Sequence, residues 1–125
     1  DENTILIGHS CGANMVLHIL EEMESPIKYA ALVGVVIDKI DDYEINALNE
    51  TFINHNYQWD KIKSGANTIK LIHGSNDPYV PLEQPETVAK ELEIDLNIIE
   101  NGGHLNAPAG YDKFEFLYND IIENL

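Results

Sequence analysis

Ile5-Leu6-Ile7-Gly8-His9-Ser10-Cys11-Gly12-Ala13-Asn14 runs from aliphatic residues straight into a glycine, a histidine and a serine. A helix-like pattern starts almost at once: Val16, Ile19, Leu20 and Met23 recur on one face, and Ser25-Pro26 closes it. The stretch reads as a short strand from Thr4 to Ile7, apolar on both faces as in a parallel sheet, and a helix from Cys11 to about Glu24. Ser10 sits at the corner between them. Such a corner is either a plain glycine-rich turn or a device that holds the Ser10 hydroxyl out to a substrate.

The same alternation continues along the chain. Ala30 to Ile37, Ile69 to His73 and Leu96 to Ile99 read as further strands. A helix from Pro85 to Leu92 has proline in its first turn, and Phe114, Leu117, Ile121, Ile122 and Leu125 signal a last helix. Strands alternating with helices at these distances imply right-handed βαβ crossovers. The expected class is α/β, a three-layer αβα domain with a parallel sheet, and residues 1–125 form a single domain. The connection from 38 to 66 breaks the rhythm: it is polar and carries Tyr43, Phe52, Tyr57 and Trp59 without clean periodicity. A connection of that length holds short helices of its own or serves a function.

Composition narrows the function. With 44% hydrophobic and 23% charged residues the chain matches an ordinary globular domain. A net charge of −15 repels phosphate backbones, so no nucleic-acid partner is expected. No apolar run approaches the ~18 residues of a membrane span, and no signal segment opens the chain. Cys11 is the one cysteine, which fits a reducing, cytoplasmic location. Asn49-Glu50-Thr51 matches a glycosylation acceptor by chance spacing alone.

In open parallel sheets, functional groups gather at the carboxyl ends of strands. Those ends read Gly8-His9-Ser10-Cys11-Gly12, then Gly74-Ser75-Asn76-Asp77, then Gly102-Gly103-His104. A serine needs a base to become a nucleophile, and a histidine titrates in the right range. A carboxylate on the other ring nitrogen orients that histidine. Ser10, Asp77 and His104 are therefore the candidate catalytic residues, with Asp38 in reserve for the acid. Gly8 and Gly12 are expected to let strand and helix approach closely, with His9 between them in the elbow. The Cys11 N–H, at the helix start, is the candidate oxyanion donor, while its thiol points the wrong way for a nucleophile. His9, His18, His55 and His73 read as structural. None pairs with a His, Cys or carboxylate at metal-ligand spacing, so no metal site is expected.

With those residues in place the chain resembles the α/β-hydrolase superfamily, and within it the small serine hydrolases grouped with retinoblastoma-binding protein 9. The matching motifs are "ILIGHSCG", "WDKIKSGANTIKLIHGSNDPYVPLE" and "NGGHLNAPAGYDKF". The resemblance implies a triad of Ser10, Asp77 and His104, esterase-type cleavage of small acyl substrates through an acyl-enzyme, and no cofactor. It also implies that family members carry a further segment ahead of the elbow strand, on the scale of a βαβ unit. An early strand there supplies the second oxyanion donor after a His-Gly stretch. The chain is thus expected to be the carboxy-terminal part of a hydrolase, lacking the N-terminal strands, with its elbow strand open to self-association. A thioesterase or acyltransferase would use the same triad, and a non-catalytic interaction module would keep only the fold.

Overall fold

Strand β2 (Ile27–Val33, IKYAALV) is buried along nearly its whole length, which an interior position in a sheet requires. The computed structural model describes residues 1–125 and places β2 between β1 (Ile5–His9) and β3 (Ala66–Gly74), with β4 (Leu96–Ile99) beyond. All pairings are parallel, in the order β1-β2-β3-β4. Helices α1 (Cys11–Glu21), α2 (Tyr43–Ile53), α3 (Trp59–Ser64), α4 (Glu83–Leu92) and α5 (Glu115–Asn124) complete the fold.

Alternation along β2 divides the core in two. Ala30 and Leu32 face Leu17 and Leu20 of α1, Ile62 of α3 and Leu92 of α4. Tyr29, Ala31 and Val33 face the other way, with Ile72, Leu105 and Leu117 of α5. The sheet is covered on both sides, as the apolar strands demand, and the α/β expectation holds. No helix is long and apolar enough to cross a membrane.

Several element ends depart from the sequence reading. β2 begins at Ile27, whose amide bonds the Gly65 carbonyl at 3.0 Å, and ends at Val33 rather than at Ile37. Gly34 adopts a left-handed φ of 57° and turns the chain out of the sheet, so Val35 and Val36 are buried without being strand. β1 extends to His9, and β3 starts at Ala66. α1 stops at Glu21, because the Glu22 and Met23 amides close its last turn on Ile19 and Leu20. α4 starts at Glu83, ahead of Pro85, whose missing N–H costs nothing in a first turn. The 38–66 connection folds as α2 and α3. Tyr57 and Trp59 stack at 5.0 Å and pack on the core, whereas Tyr43 is exposed.

Candidate active site

The elbow is built by steric exclusion. A Cβ on Gly8 would lie 2.4 Å from the Gly12 carbonyl oxygen, so only glycine lets β1 run this close to α1. Gly12 differs from expectation: a Cβ there meets nothing within 4 Å, and its contribution is the backbone that Gly8 touches. Ser10 holds φ 57° and ψ −118°, a strained conformation for a residue with a side chain. It is fixed by its amide on the Val33 carbonyl at 2.8 Å. Although Ser10 occupies the cap position of α1, its hydroxyl makes no capping hydrogen bond. The Cys11 and Gly12 amides belong to the first turn, where no carbonyl of the helix can accept them, and they remain available to an anion. The Cys11 thiol points elsewhere, receiving a hydrogen bond from Asn49 of α2 at 2.9 Å.

The second and third sequence segments meet each other. Gly74, at the end of β3, would carry a Cβ only 2.0 Å from the Gly103 carbonyl oxygen, so the loops after β3 and β4 touch backbone to backbone. Asn76 Oδ1 accepts the Gly103 amide at 2.7 Å, and Ser75 Oγ accepts the Asn101 amide at 2.9 Å. This clasp brings His104 Nδ1 to 2.7 Å from Asp77 Oδ2. Burial pushes the Asp77 carboxyl up, but the His104 ring and the Val80 and Tyr79 amides outweigh it and hold the group below its ordinary value. Asp38, the reserve acid, accepts its neighbour's amide from Lys39 and does not join His104.

His104 is held on every side. Its backbone carbonyl accepts His9 Nε2 at 2.7 Å, and the two rings lie 4.6 Å apart. Tyr79 stands edge-on to it at 5.2 Å. Gly34, facing the ring, would bring a Cβ to 3.4 Å from it. Ser10 and His104 are not hydrogen-bonded to each other, and the ring's Nε2 has no protein partner.

Sequence reasoning missed several supports. His73, fully buried, donates Nε2–H to the Val80 carbonyl at 3.0 Å and lies 3.5 Å from Asp77 Oδ2, behind that carboxylate. Gly34, Asn76 and Tyr79 carry no pattern that a strand or helix period reveals. His18 and His55 are not isolated, since both stand beside the Glu21 carboxylate.

Residues 1–122 match the family model described as Serine hydrolase. The chain is 30% identical over 104 residues to the serine hydrolase RBBP9 of Rattus norvegicus, covering 83% of this chain and 54% of that protein. It is 24% identical over 118 residues to YdeN of Bacillus subtilis, covering 94% and 62%. The crystal structure of the ydeN gene product superposes with a TM-score of 0.87 at 22% identity, over 98% of this chain and 66% of that one. A meta-cleavage product hydrolase from Pseudomonas fluorescens superposes at 0.64 and 16% identity, over 98% and 65%. The chain therefore spans between half and two thirds of the curated relatives it matches. On the match over nearly its whole length, this chain belongs to the serine hydrolase family and has the α/β-hydrolase fold.

Proposed function

We propose that this protein cleaves small acyl esters through an acyl-enzyme, with Ser10 as nucleophile, His104 as base and Asp77 as the group that orients His104. The observation that carries this reading is the 2.7 Å hydrogen bond from His104 Nδ1 to buried Asp77. It fixes the proton on Nδ1 and turns the lone pair of Nε2 outward, ready to take a proton. The unspent hydroxyl of Ser10, on its strained corner, is the matching donor.

In the first half-reaction the Ser10 oxygen attacks the ester carbonyl while its proton passes to His104 Nε2. The tetrahedral oxyanion receives the Cys11 N–H at the positive end of α1. As the oxyanion collapses, the carbon–oxygen bond to the alcohol breaks and His104 returns its proton to that alcohol. Water then attacks the acyl-Ser10 ester, His104 takes and returns a proton again, and the carboxylic acid leaves.

A fluorophosphonate probe tests the reading, because it reacts only with an activated serine. Labelling should map to Ser10 by peptide mass spectrometry and vanish in Ser10→Ala. His104→Ala should slow it by roughly 10² or more, the usual share of a positioned base. Labelling of wild type and Ser10→Ala to the same extent overturns the assignment, and an unreactive wild type favours a non-catalytic role for the fold.

A further inference from the structure

Glu21 is an acidic residue in the wrong place for a soluble surface. Its side chain is only 3% exposed, on the last turn of α1 beneath the link between α2 and α3. One carboxylate oxygen accepts the Gln58 amide, and the other lies 2.7 Å from His55 Nε2. His18 precedes Glu21 by one helical turn and shares its face. The rings of His18 and His55 are 4.3 Å apart.

We infer that His18, Glu21 and His55 form a binding site for a divalent transition-metal ion of the zinc type, separate from the Ser10 site. One potential ligand atom from each residue lies within 4.8 Å of the others. Two imidazole nitrogens and a carboxylate oxygen make a donor set suited to zinc, leaving a fourth position for water. A second observation is independent of that proximity. His18 Nε2–H donates to the Phe52 carbonyl at 3.1 Å, which leaves the lone pair on Nδ1. A histidine ligand characteristically has its other ring nitrogen tied to a carbonyl in this way, fixing tautomer and aim. No protein group donates to His18 Nδ1.

Around an ion at ~2.0–2.1 Å from each ligand, His55 Nε2 and Glu21 Oε2 would separate to about 3.4 Å. His55 would then ligate through Nε2 in the tautomer that carries its proton on Nδ1, giving up its hydrogen bond to Glu21. The His55 side chain is 30% exposed and borders an open cleft of about 410 Å³ shared with Tyr57, Trp59 and Glu83, which gives the ion a route. His18 is two turns beyond Ser10 along α1, about 12 Å away. The ion would thus act as a brace between α1 and the α2–α3 link, remote from the acyl chemistry.

The test uses tag-free chain, stripped with chelator and titrated with Zn²⁺ in excess Mg²⁺, which occupies ordinary acidic surface sites. Roughly one zinc per chain should survive gel filtration, and Co²⁺ in its place should give the visible absorption of a four-coordinate ion. The melting temperature should rise with zinc. His55→Gln, on an exposed link, should keep the fold by circular dichroism and lose both the retained ion and the melting shift, and His18→Gln should do the same. Ser10→Ala should retain zinc fully. Absence of stoichiometric zinc in wild type overturns the inference, as does undiminished binding in His55→Gln.

Discussion

Gly8 and Gly12 flank the same serine and obey different constraints. At Gly8 any side chain collides with the backbone of α1, so Gly8→Ala must push strand and helix apart. The expected cost is about 1–3 kcal/mol in denaturant unfolding, with loss of probe labelling at Ser10 as the elbow shifts. Gly12 stands in open space within α1, so Gly12→Ala should leave stability unchanged or raise it by up to ~1 kcal/mol. Equal losses at the two sites would contradict the close approach at Gly8. Asp77 has a different signature. Its folded carboxyl titrates below the ordinary value of 3.8, so it stabilises the fold above that value, and the contribution fades as pH falls through the lower folded one. Acid unfolding of Asp77→Asn should therefore lose part of its pH dependence below pH ~4. Activity of the same variant should drop by up to ~10⁴, because asparagine can hold His104 in the wrong tautomer.

Helix α5 is fastened by one acidic side chain as well as by its apolar face. Asp120 accepts the buried Tyr29 hydroxyl at 2.6 Å and pairs with Lys70 at 2.6 Å, joining α5 to β2 and β3. Asp120→Ala strands both partners and should cost about 1–3 kcal/mol by chemical denaturation. Burial, with Asp120 adding to it, pushes the Tyr29 hydroxyl well above its ordinary value of 10.0. The raised value means that its stabilisation is complete below pH ~10 and is lost as pH rises toward the folded value. Tyr29→Phe should flatten the alkaline fall in melting temperature above pH ~10. None of this fastening was legible in the sequence, because Tyr29, Lys70 and Asp120 are distant in the chain and each is ordinary alone. What was legible obeyed a local period or a chemical order. β1 and β4 announced themselves as apolar runs, and Ser10, Asp77 and His104 do follow strands as their glycine-rich turns implied. The apolar face of α1 was legible only in part: Val16 and Leu20 are buried, but Ile19 is exposed and Leu17 lies inside in its place. The end of β2 was hidden because Val35 and Val36 are as apolar as the strand, and only the backbone at Gly34 ends it. His18, Glu21 and His55 were hidden for a related reason: α2 and α3 have weak periodicity, and only their folding returns His55 to α1.

In the sheet of this 125-residue chain β1 pairs on one side only, with β2, although it leads into the Ser10 corner. Its other side offers unpaired backbone groups along Ile5, Leu6 and Ile7. Ile7 is 54% exposed, and on α1 Met15 and Ile19, one turn apart, are 48% and 38% exposed. The strand has neither lysine nor proline to discourage a second strand from pairing there. Opposing this is the net charge of −15, which makes two copies repel at low ionic strength. That repulsion acts through solvent and falls away once the screening length drops to ~8 Å near 0.15 M salt, whereas strand pairing and apolar burial persist. The chain alone should therefore self-associate at micromolar concentrations and above, more strongly as salt is raised, the reverse of an assembly held by ion pairs. Ile7→Lys puts a charge at an exposed position on the open edge and should return the chain to a monomer without loss of its circular dichroism signal. Sedimentation velocity at low and high salt decides the matter: a chain that stays monomeric in both, or an Ile7→Lys variant that associates like wild type, removes the β1 edge as the contact.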